Sequence, residues 1–238
     1  MEHIDTIIAL SGPADILDLA AFAAVILLWI GVGRLIEYPP AARSSVSVVM
    51  AEYRREWMRQ FVTRQPRIFD ANVIDSLRQG TAFFASACMI AIGGGVALVG
   101  NPRQLADISA ELPLPDAGVA LEFKLILVVA FLANALLKFI WAHRLFGYCA
   151  ILMAAVPNDP ADPLAFPRAS QAAEVNITAA KSFNRGLRSI YFALGSLGWL
   201  LGPVALIVTA TLTAGVLVRR EFASHSREVM LSDGQGRS

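Results

Sequence analysis

The chain has 238 residues, of which 56% are hydrophobic and 16% charged, and its formal net charge is +1. This balance departs from the usage of soluble proteins, and the apolar residues gather in long blocks that exclude an ordinary soluble domain. The basic residues are too few, and too close to the apolar blocks, to predict a nucleic-acid partner.

Four apolar blocks reach the length of about 20 residues that a helix needs to cross a bilayer. We predict transmembrane helices at about 16–36, 81–100, 121–143 and 190–218. The first and last blocks contain long stretches without a charged residue at any helical angle, unlike the amphipathic helices of soluble proteins. The fold class is therefore predicted as all-α, a polytopic membrane protein with one four-helix membrane domain over residues 1–228 and a flexible tail at 229–238.

The first block is expected to be a permanent helix and not a cleaved signal peptide. Signal peptides begin with basic residues and contain a short apolar run. Residues 1–15 contain Glu2, Asp5 and Asp15 but no lysine or arginine, and the apolar block that follows is too long. An acidic segment outside the membrane is the expected start of the chain.

The first long connection, residues 39–80, has a helical pattern of apolar and basic residues that Pro66 interrupts. Phe69, Val73 and Leu77 fall on one side of a helical wheel. An apolar stripe opposite a cationic one predicts an amphipathic helix that lies on the cytoplasmic membrane surface or docks against a neighbour. Pro66 is expected in the first turn of a second helix. The cationic side carries Arg64, Arg67, Asp75 and Arg78.

Three acidic residues of the connections are candidate structural ion-pair partners. Asp70 lies three residues after Arg67, and Asp75 lies three residues before Arg78. Side chains at this spacing meet on one face of a helix. Glu174 is the third candidate, because it lies in a helical pattern of the second long connection that also contains basic residues.

The second long connection, residues 144–189, is predicted to hold an amphipathic helix after a proline-rich start. It ends in Arg185 and Arg188, immediately before the fourth apolar block. Their guanidinium groups can reach water or lipid phosphate there, so they either anchor the helix or hold an anionic ligand. The candidate contacts for an anion or a lipid headgroup are Arg64, Arg67, Arg78, Arg185 and Arg188.

Small and polar residues inside the apolar blocks predict contacts between helices. Small side chains let helix backbones approach closely in lipid, and a polar side chain at membrane depth can hydrogen-bond to a neighbouring helix. These contacts lie either within one chain or between copies, so a homo-oligomer is one alternative. The candidate packing residues are Ala87, Ala91, Gly95, Asn134, Gly198 and Gly202.

Basic residues are unevenly distributed among the segments that flank the apolar blocks. Lysine and arginine accumulate on the cytoplasmic side of membrane proteins. The two long connections contain twelve basic residues, whereas the remaining loop and the tail contain five. We therefore predict cytoplasmic connections and both termini outside, in a bacterial inner (plasma) membrane. Arg219 and Arg220 in the tail oppose this orientation.

The sequence contains no recognisable catalytic, cofactor-binding or metal-binding pattern. Its three histidines are scattered, and Cys88 and Cys149 have neither zinc spacing nor a disulfide framework. We therefore expect no catalytic residues, no cofactor and no metal.

Four segments resemble the shared segments of the domain-of-unknown-function 599 family. The resemblance covers roughly residues 16–228 and implies an integral membrane protein of a kind found in bacteria and plants. It implies no established activity, so no functional residue is carried over. The segments are RIFDANVIDSL at 67–77, FFAS at 83–86, FNRGLRSIYFALGSLGW at 183–199 and RREFAS at 219–224.

Three functions are compatible with these residues. The first, which we expect, is a non-enzymatic scaffold or oligomeric assembly in the lipid bilayer. The second is a pore or carrier for a small anionic or polar solute, with Arg67, Arg185 and Arg188 at its cytoplasmic opening. The third is an enzyme acting on lipid headgroups, in which Arg185 and Arg188 hold phosphate and Asp70 or Glu174 is the base.

Overall fold

The computed structural model describes residues 13–40, 43–101, 103, 107 and 120–232. Within these residues the chain is helical and contains no strand, which confirms the all-α class. The predicted acidic segment before Pro13 and the last part of the predicted tail, 233–238, lie outside the described residues. The helices are α1 (Pro13–Glu37), α2 (Val46–Thr63), α3 (Ile68–Val99), α4 (Leu121–Ala154), α5 (Ala165–Ser196), α6 (Pro203–Phe222) and α7 (His225–Leu231).

Four helices of the described chain are long and apolar enough to cross a membrane, as predicted. They are α1, α3, α4 and the helix that begins at Pro203. Helices α3 and α4 are longer than the predicted apolar blocks. Helix α3 begins before its block, at Ile68, and α4 ends after its block, at Ala154. The first connection therefore consists of α2 and the first turns of α3, and it is not a separate surface layer.

The predicted fourth span, 190–218, is wrong, because the chain reverses direction inside it. Helix α5 ends at Ser196, a 3-10 segment covers Leu197–Leu201, and α6 begins at Pro203. Gly202 adopts φ 110°, a conformation that glycine adopts at little cost, and Pro203 suits the first turn of the next helix. This 29-residue apolar stretch thus forms the tip and the adjoining arms of a helical hairpin, and not one continuous helix.

The hairpin shows that the predicted helix-packing surface formed by Gly198 and Gly202 is wrong. Gly198 lies in the 3-10 segment and Gly202 lies in the turn, so they do not share a helix face. A Cβ atom at Gly198 would collide with Thr209 of α6, so this glycine serves a close approach within the chain. At the same tip, the Trp199 indole donates to Asp18 Oδ1 of α1 at 2.5 Å.

Helix α5 lies at the centre of the bundle and packs against α4, α2, α6 and α1. Its position explains why its composition is less apolar than that of the other long helices. Polar side chains on α5 are covered by neighbouring helices instead of facing lipid. The buried polar residues of α5 are Asn176, Ser182, Arg188, Ser189 and Ser196.

Gly186 marks the closest approach of α5 to α4. A Cβ atom at this position would lie 2.7 to 3.0 Å from ring carbons of Phe139, whereas Gly147 on α4 has nothing within 4 Å. Gly186→Ala should therefore lower the free energy of unfolding by about 1–3 kcal/mol, the usual cost of overpacking. Gly147→Ala, the matched control, should be neutral or stabilising. Denaturant unfolding in detergent measures both, and equal stabilities would contradict the close packing.

One end of the bundle carries most of the polar structure, and we call it the basic end. It comprises α2, the first turns of α3, the part of α5 up to Arg188, the last turns of α4, and the end of α1 at Glu37. Helix α6 also ends here, since the Phe222 carbonyl accepts from Arg43 at 2.8 Å. The Tyr53 hydroxyl of α2 donates to the carbonyl of Met230 in α7 at 3.0 Å.

Two predictions about the C-terminal part are therefore wrong. Residues 229–231, predicted as flexible tail, end a short helix that contacts α2. The segment after α6 lies at the same end of the bundle as the first connection, and not at the opposite end. The reason is the hairpin, because it adds one passage of the chain across the bundle. Which compartment the basic end faces stays a prediction.

Two details of the first connection also differ from the predictions. Pro66 lies in the turn between α2 and α3 and not in the first turn of α3, which begins at Ile68. Phe69 is 63% exposed, whereas Asp70 is fully buried. The buried face of α3 is therefore rotated from the predicted apolar stripe by about one residue, because Asp70 has polar partners inside the bundle.

Candidate anion-binding site

Arg185 and Arg188 meet one carboxylate at the end of α1. Arg185 Nε donates to Glu37 Oε1 at 2.8 Å, its Nη2 donates to Glu37 Oε2, and Arg188 Nη2 donates to Glu37 Oε1. The side chains of Arg188 and Glu37 are 8% and 13% exposed. Two guanidinium groups thus share one carboxylate at a largely buried position, which leaves one positive charge uncompensated.

A polar cavity of about 440 Å³ lies beside this cluster, between α2 and α5 and against the ends of α1 and α6. Its basic side chains are Arg54, Arg55, Lys181 and Arg188. Its volume falls in the range of small-molecule sites, which are concave and carry a few placed polar groups. The cavity also contains the carboxylates of Glu37, Glu52 and Glu221.

Each of the three carboxylates is engaged by protein groups. Glu37 binds the two arginines of α5, and Glu52 accepts from Arg55 Nη1 at 2.6 Å. Glu221 accepts from the Ser47 backbone N–H at 3.0 Å and from the Ser47 hydroxyl at 3.1 Å. Its charge also suits the first turn of α2, where backbone N–H groups point out of the helix.

Arg54 and Lys181 bring the cavity to four basic groups against three carboxylates, an excess of one positive charge. Arg54 Nη1 donates to the neutral side chain of Asn176, and within the described chain no carboxylate lies within ion-pair distance of either basic group. Burial lowers the pKa of the Arg54 guanidinium, although arginine stays protonated in proteins. An anion in the cavity would offset this desolvation.

The other predicted arginines lie elsewhere. Arg64 pairs with Asp70. Arg67 donates to the carbonyl oxygens of Val156 and Pro157, each at 2.8 Å. Arg67 and Arg78 line a separate cavity of about 320 Å³ between α3 and α4. The predicted solute opening formed by Arg67, Arg185 and Arg188 is therefore wrong, because Arg67 holds the end of α4.

The acidic candidates have the following partners. Asp70 accepts from the Trp57 indole at 2.6 Å and pairs with Arg64, not with the predicted Arg67. Asp75 accepts from Gln79 at 2.6 Å and does not pair with Arg78.

Glu174 of α5 binds a basic residue of α2. Its Oε1 accepts from Arg55 Nε at 2.7 Å. The hydrogen bond from Arg55 lowers the pKa of this exposed carboxyl. Glu174 therefore ties α5 to α2 outside the cavity.

The remaining packing candidates divide into internal and outward-facing residues. Asn134 donates to Ser189 Oγ at 2.7 Å and so links α4 to α5. A Cβ atom at Gly95 would lie 2.6 Å from Val129, so this glycine also faces α4. Ala87 and Ala91 are exposed on the outer side of α3.

Cysteine and histidine side chains do not form a metal site in the described residues, where no cluster of three ligand-type side chains occurs. Cys88 and Cys149 are buried and not joined to each other. His143 Nδ1 lies 3.1 Å from the Thr81 hydroxyl and 3.3 Å from the Arg78 carbonyl, which ties α4 to α3.

Sequence reasoning missed Glu37, Arg54, Lys181 and Glu221 as site residues. Glu37 follows the first apolar block directly, and an acid at the boundary of a span is a usable signal. Arg54 is one of several arginines in α2, and no local pattern distinguishes the one that faces α5. The cavity forms only when α2 docks on α5.

Comparison with known proteins gives one match. A family model described as "Protein of unknown function, DUF599" matches residues 20–226. No curated protein and no solved structure matches the chain.

Proposed function

Since the chain belongs to the DUF599 family, whose function is unknown, we propose its role from the site alone. The protein binds a small anionic or polar solute, without catalysis, in the cavity between α2 and α5. The observation that supports this proposal is the pair Arg54 and Lys181, which form no ion pair within the described chain and give the cavity four basic groups against three carboxylates. Inorganic phosphate has the size and charge of such a ligand.

The interior beneath the cavity favours a binding site over an open pore. Val32 and Ile36 of α1, Phe192 of α5 and Leu217 of α6 are buried in one apolar cluster. This cluster fills the space between the three helices below Arg188. A solute bound at the basic end would therefore require a rearrangement of these helices before it could cross.

The two other functions have weaker support. The scaffold prediction relied on packing motifs and on the amphipathic cytoplasmic connections, and Gly95 and Gly198 make their closest contacts within the chain. A homo-oligomer stays a prediction. For the lipid enzyme, Asp70 is covered by Trp57 and Arg64, and Glu174 binds Arg55. Neither carboxylate lines the cavity, so the proposed base is not beside the proposed phosphate contacts.

We propose that the protein lies in the inner membrane of a bacterial cell, with its basic end facing the cytoplasm. The hairpin brings Arg219, Arg220 and Arg227 to the same end as the two long connections. All three then agree with the preference of basic residues for the cytoplasmic side. The solute would then enter from the cytoplasm.

Removing the unmatched charges should abolish most solute binding. Arg54→Gln/Lys181→Gln removes two charged contacts, and a hydrogen bond to a charged group contributes about 1.5–3 kcal/mol. The affinity for inorganic phosphate, measured by calorimetry on the detergent-solubilised chain, should fall at least about tenfold. The matched control is Arg59→Gln/Arg219→Gln, two exposed charges outside the cavity, and it should bind like the wild type. Equal affinity in both variants, or no binding by the wild type, would overturn the proposal.

A further inference from the structure

A second cleft of about 260 Å³ lies on the other side of Arg188, between α1, α4 and α5. Its basic side chains are Arg34, Lys138, Arg185 and Arg188, and Glu37 is its one carboxylate. Four basic groups against one acid make this cleft more positive than the cavity between α2 and α5. It shares Arg188 and Glu37 with that cavity but faces away from α2.

Arg34 and Lys138 lie where the apolar parts of their helices end. Arg34 lies two residues before the end of the predicted block 16–36, and Lys138 lies five residues before the end of the predicted block 121–143. Within the described chain neither forms an ion pair or a side-chain hydrogen bond to another residue. We place these two groups at the level of the lipid headgroup phosphates, where each basic group near the surface contributes about 1 kcal/mol of attraction to anionic lipid.

The membrane side of the cleft is apolar. Trp29 and Ile30 of α1 line it, and the Trp29 ring meets the Phe131 ring of α4 edge-on, with centroids 5.4 Å apart. Ile30, which lines the cleft on α1, is 46% exposed, and Leu137, the sequence neighbour of the lining residue Lys138 on α4, is 65% exposed. The cleft is therefore flanked by two helix surfaces that face lipid, so a ligand can approach it sideways from the bilayer.

We propose that this cleft binds the phosphate group of an anionic phospholipid. Arg34, Lys138 and Arg185 surround the phosphate, and the acyl chains lie along the exposed apolar surface beside Ile30 and Leu137. Charge complementarity selects the anion, and the apolar floor selects a ligand with a hydrocarbon part over a free ion. This site goes beyond the solute-binding function, and its phosphate contacts Arg34, Lys138 and Arg185 do not line the solute cavity, although the two sites share Arg188 and Glu37.

The test is the affinity of the full-length chain in detergent for phosphatidylglycerol, measured by native mass spectrometry. Phosphatidylcholine is the zwitterionic comparison, and inorganic phosphate at millimolar concentration is the competitor. Wild-type protein should bind phosphatidylglycerol about tenfold more tightly than phosphatidylcholine, as expected for net attraction by two or more basic groups. Inorganic phosphate should not displace the lipid. Equal affinity for the two lipids would overturn the proposal, because the cleft would then have no headgroup preference. Displacement of the lipid by inorganic phosphate would overturn it too, because the cleft would then bind a free anion.

Two variants separate the cleft from general surface attraction. Arg34→Gln/Lys138→Gln should weaken phosphatidylglycerol binding about tenfold, whereas Arg144→Gln/Arg219→Gln, with two exposed charges removed at the same end, should not weaken it. Gly33→Leu keeps every charge but places a side chain in the cleft, since Gly33 lines it, and it should weaken lipid binding similarly. The elution volume in size-exclusion chromatography shows whether each variant is folded. Unchanged phosphatidylglycerol binding in either cleft variant that elutes like the wild type would overturn the proposal.

The lipid site and the solute site can fail separately. Arg54→Gln/Lys181→Gln should leave phosphatidylglycerol binding unchanged, because neither residue lines the cleft. Loss of lipid binding in that variant would show that the cavity and the cleft form one binding site. It would overturn the assignment of the lipid to the cleft.

Discussion

Glu37→Ala is expected to lower the free energy of unfolding by about 3–5 kcal/mol, the cost of leaving a buried charge without its partner. Glu37 is the carboxylate that compensates Arg188, whose side chain is only 8% exposed. Arg185 is 43% exposed and can turn to water after the substitution, so most of the loss comes from Arg188. Denaturant titration in detergent, with helical content followed by circular dichroism, measures the change.

Two further variants test this explanation. Adding Arg188→Leu to Glu37→Ala should recover most of the lost stability, because replacing a buried ion pair by apolar side chains is often neutral or stabilising. Glu56→Ala, which breaks an exposed pair with Arg59 on α2, should change stability by less than about 1 kcal/mol. A Glu37→Ala protein as stable as Glu56→Ala would show that water reaches Arg188 and that the cluster is not a buried one.

Asp70→Ala is expected to have the second largest effect, a loss of about 2–4 kcal/mol. Asp70 is fully buried and joins α2 to the start of α3 through Trp57 and Arg64. Its removal leaves the Trp57 indole N–H without an acceptor. Arg64 is 35% exposed and can find water, so the expected loss is smaller than for Glu37.

Asp75→Ala is the matched control for Asp70→Ala. Asp75 lies on the same helix, is exposed, and accepts one hydrogen bond from Gln79. Its substitution should change stability by no more than about 0.5 kcal/mol, as is usual at the surface. Similar losses in the two variants would mean that Asp70 has no special role in joining α2 to α3.

Composition and block length were sufficient to predict the helical class and four helices long and apolar enough to cross a membrane, because the requirement for about 20 apolar residues is a property of the bilayer. They could not show the reversal at Gly202. Hydropathy measures how apolar a segment is, and both arms of the hairpin are apolar. The useful signals were the Gly202-Pro203 dipeptide, a strong marker of turns, and a block much longer than one crossing needs.

The site was harder to predict than the fold because its partners are distant in sequence. Arg185 and Arg188 were identified as boundary residues, but Glu37 lies 148 and 151 positions away from them. The rule for helical neighbours assigned Asp70 to Arg67, whereas Arg64 reaches it from the turn before α3. Spacing rules describe one helix, and these contacts depend on how several helices pack.

Helices α4 and α5 are unbroken rods of 34 and 32 residues, or about 51 and 48 Å at 1.5 Å per residue. Each therefore passes from the apolar part of the bundle to the far edge of the basic end without a hinge. A change in bilayer thickness that altered the tilt of these two helices would therefore displace their ends at the basic end. The space between α2 and α5 would widen or narrow with it, so under the proposed function we expect the affinity for the solute to depend on bilayer thickness.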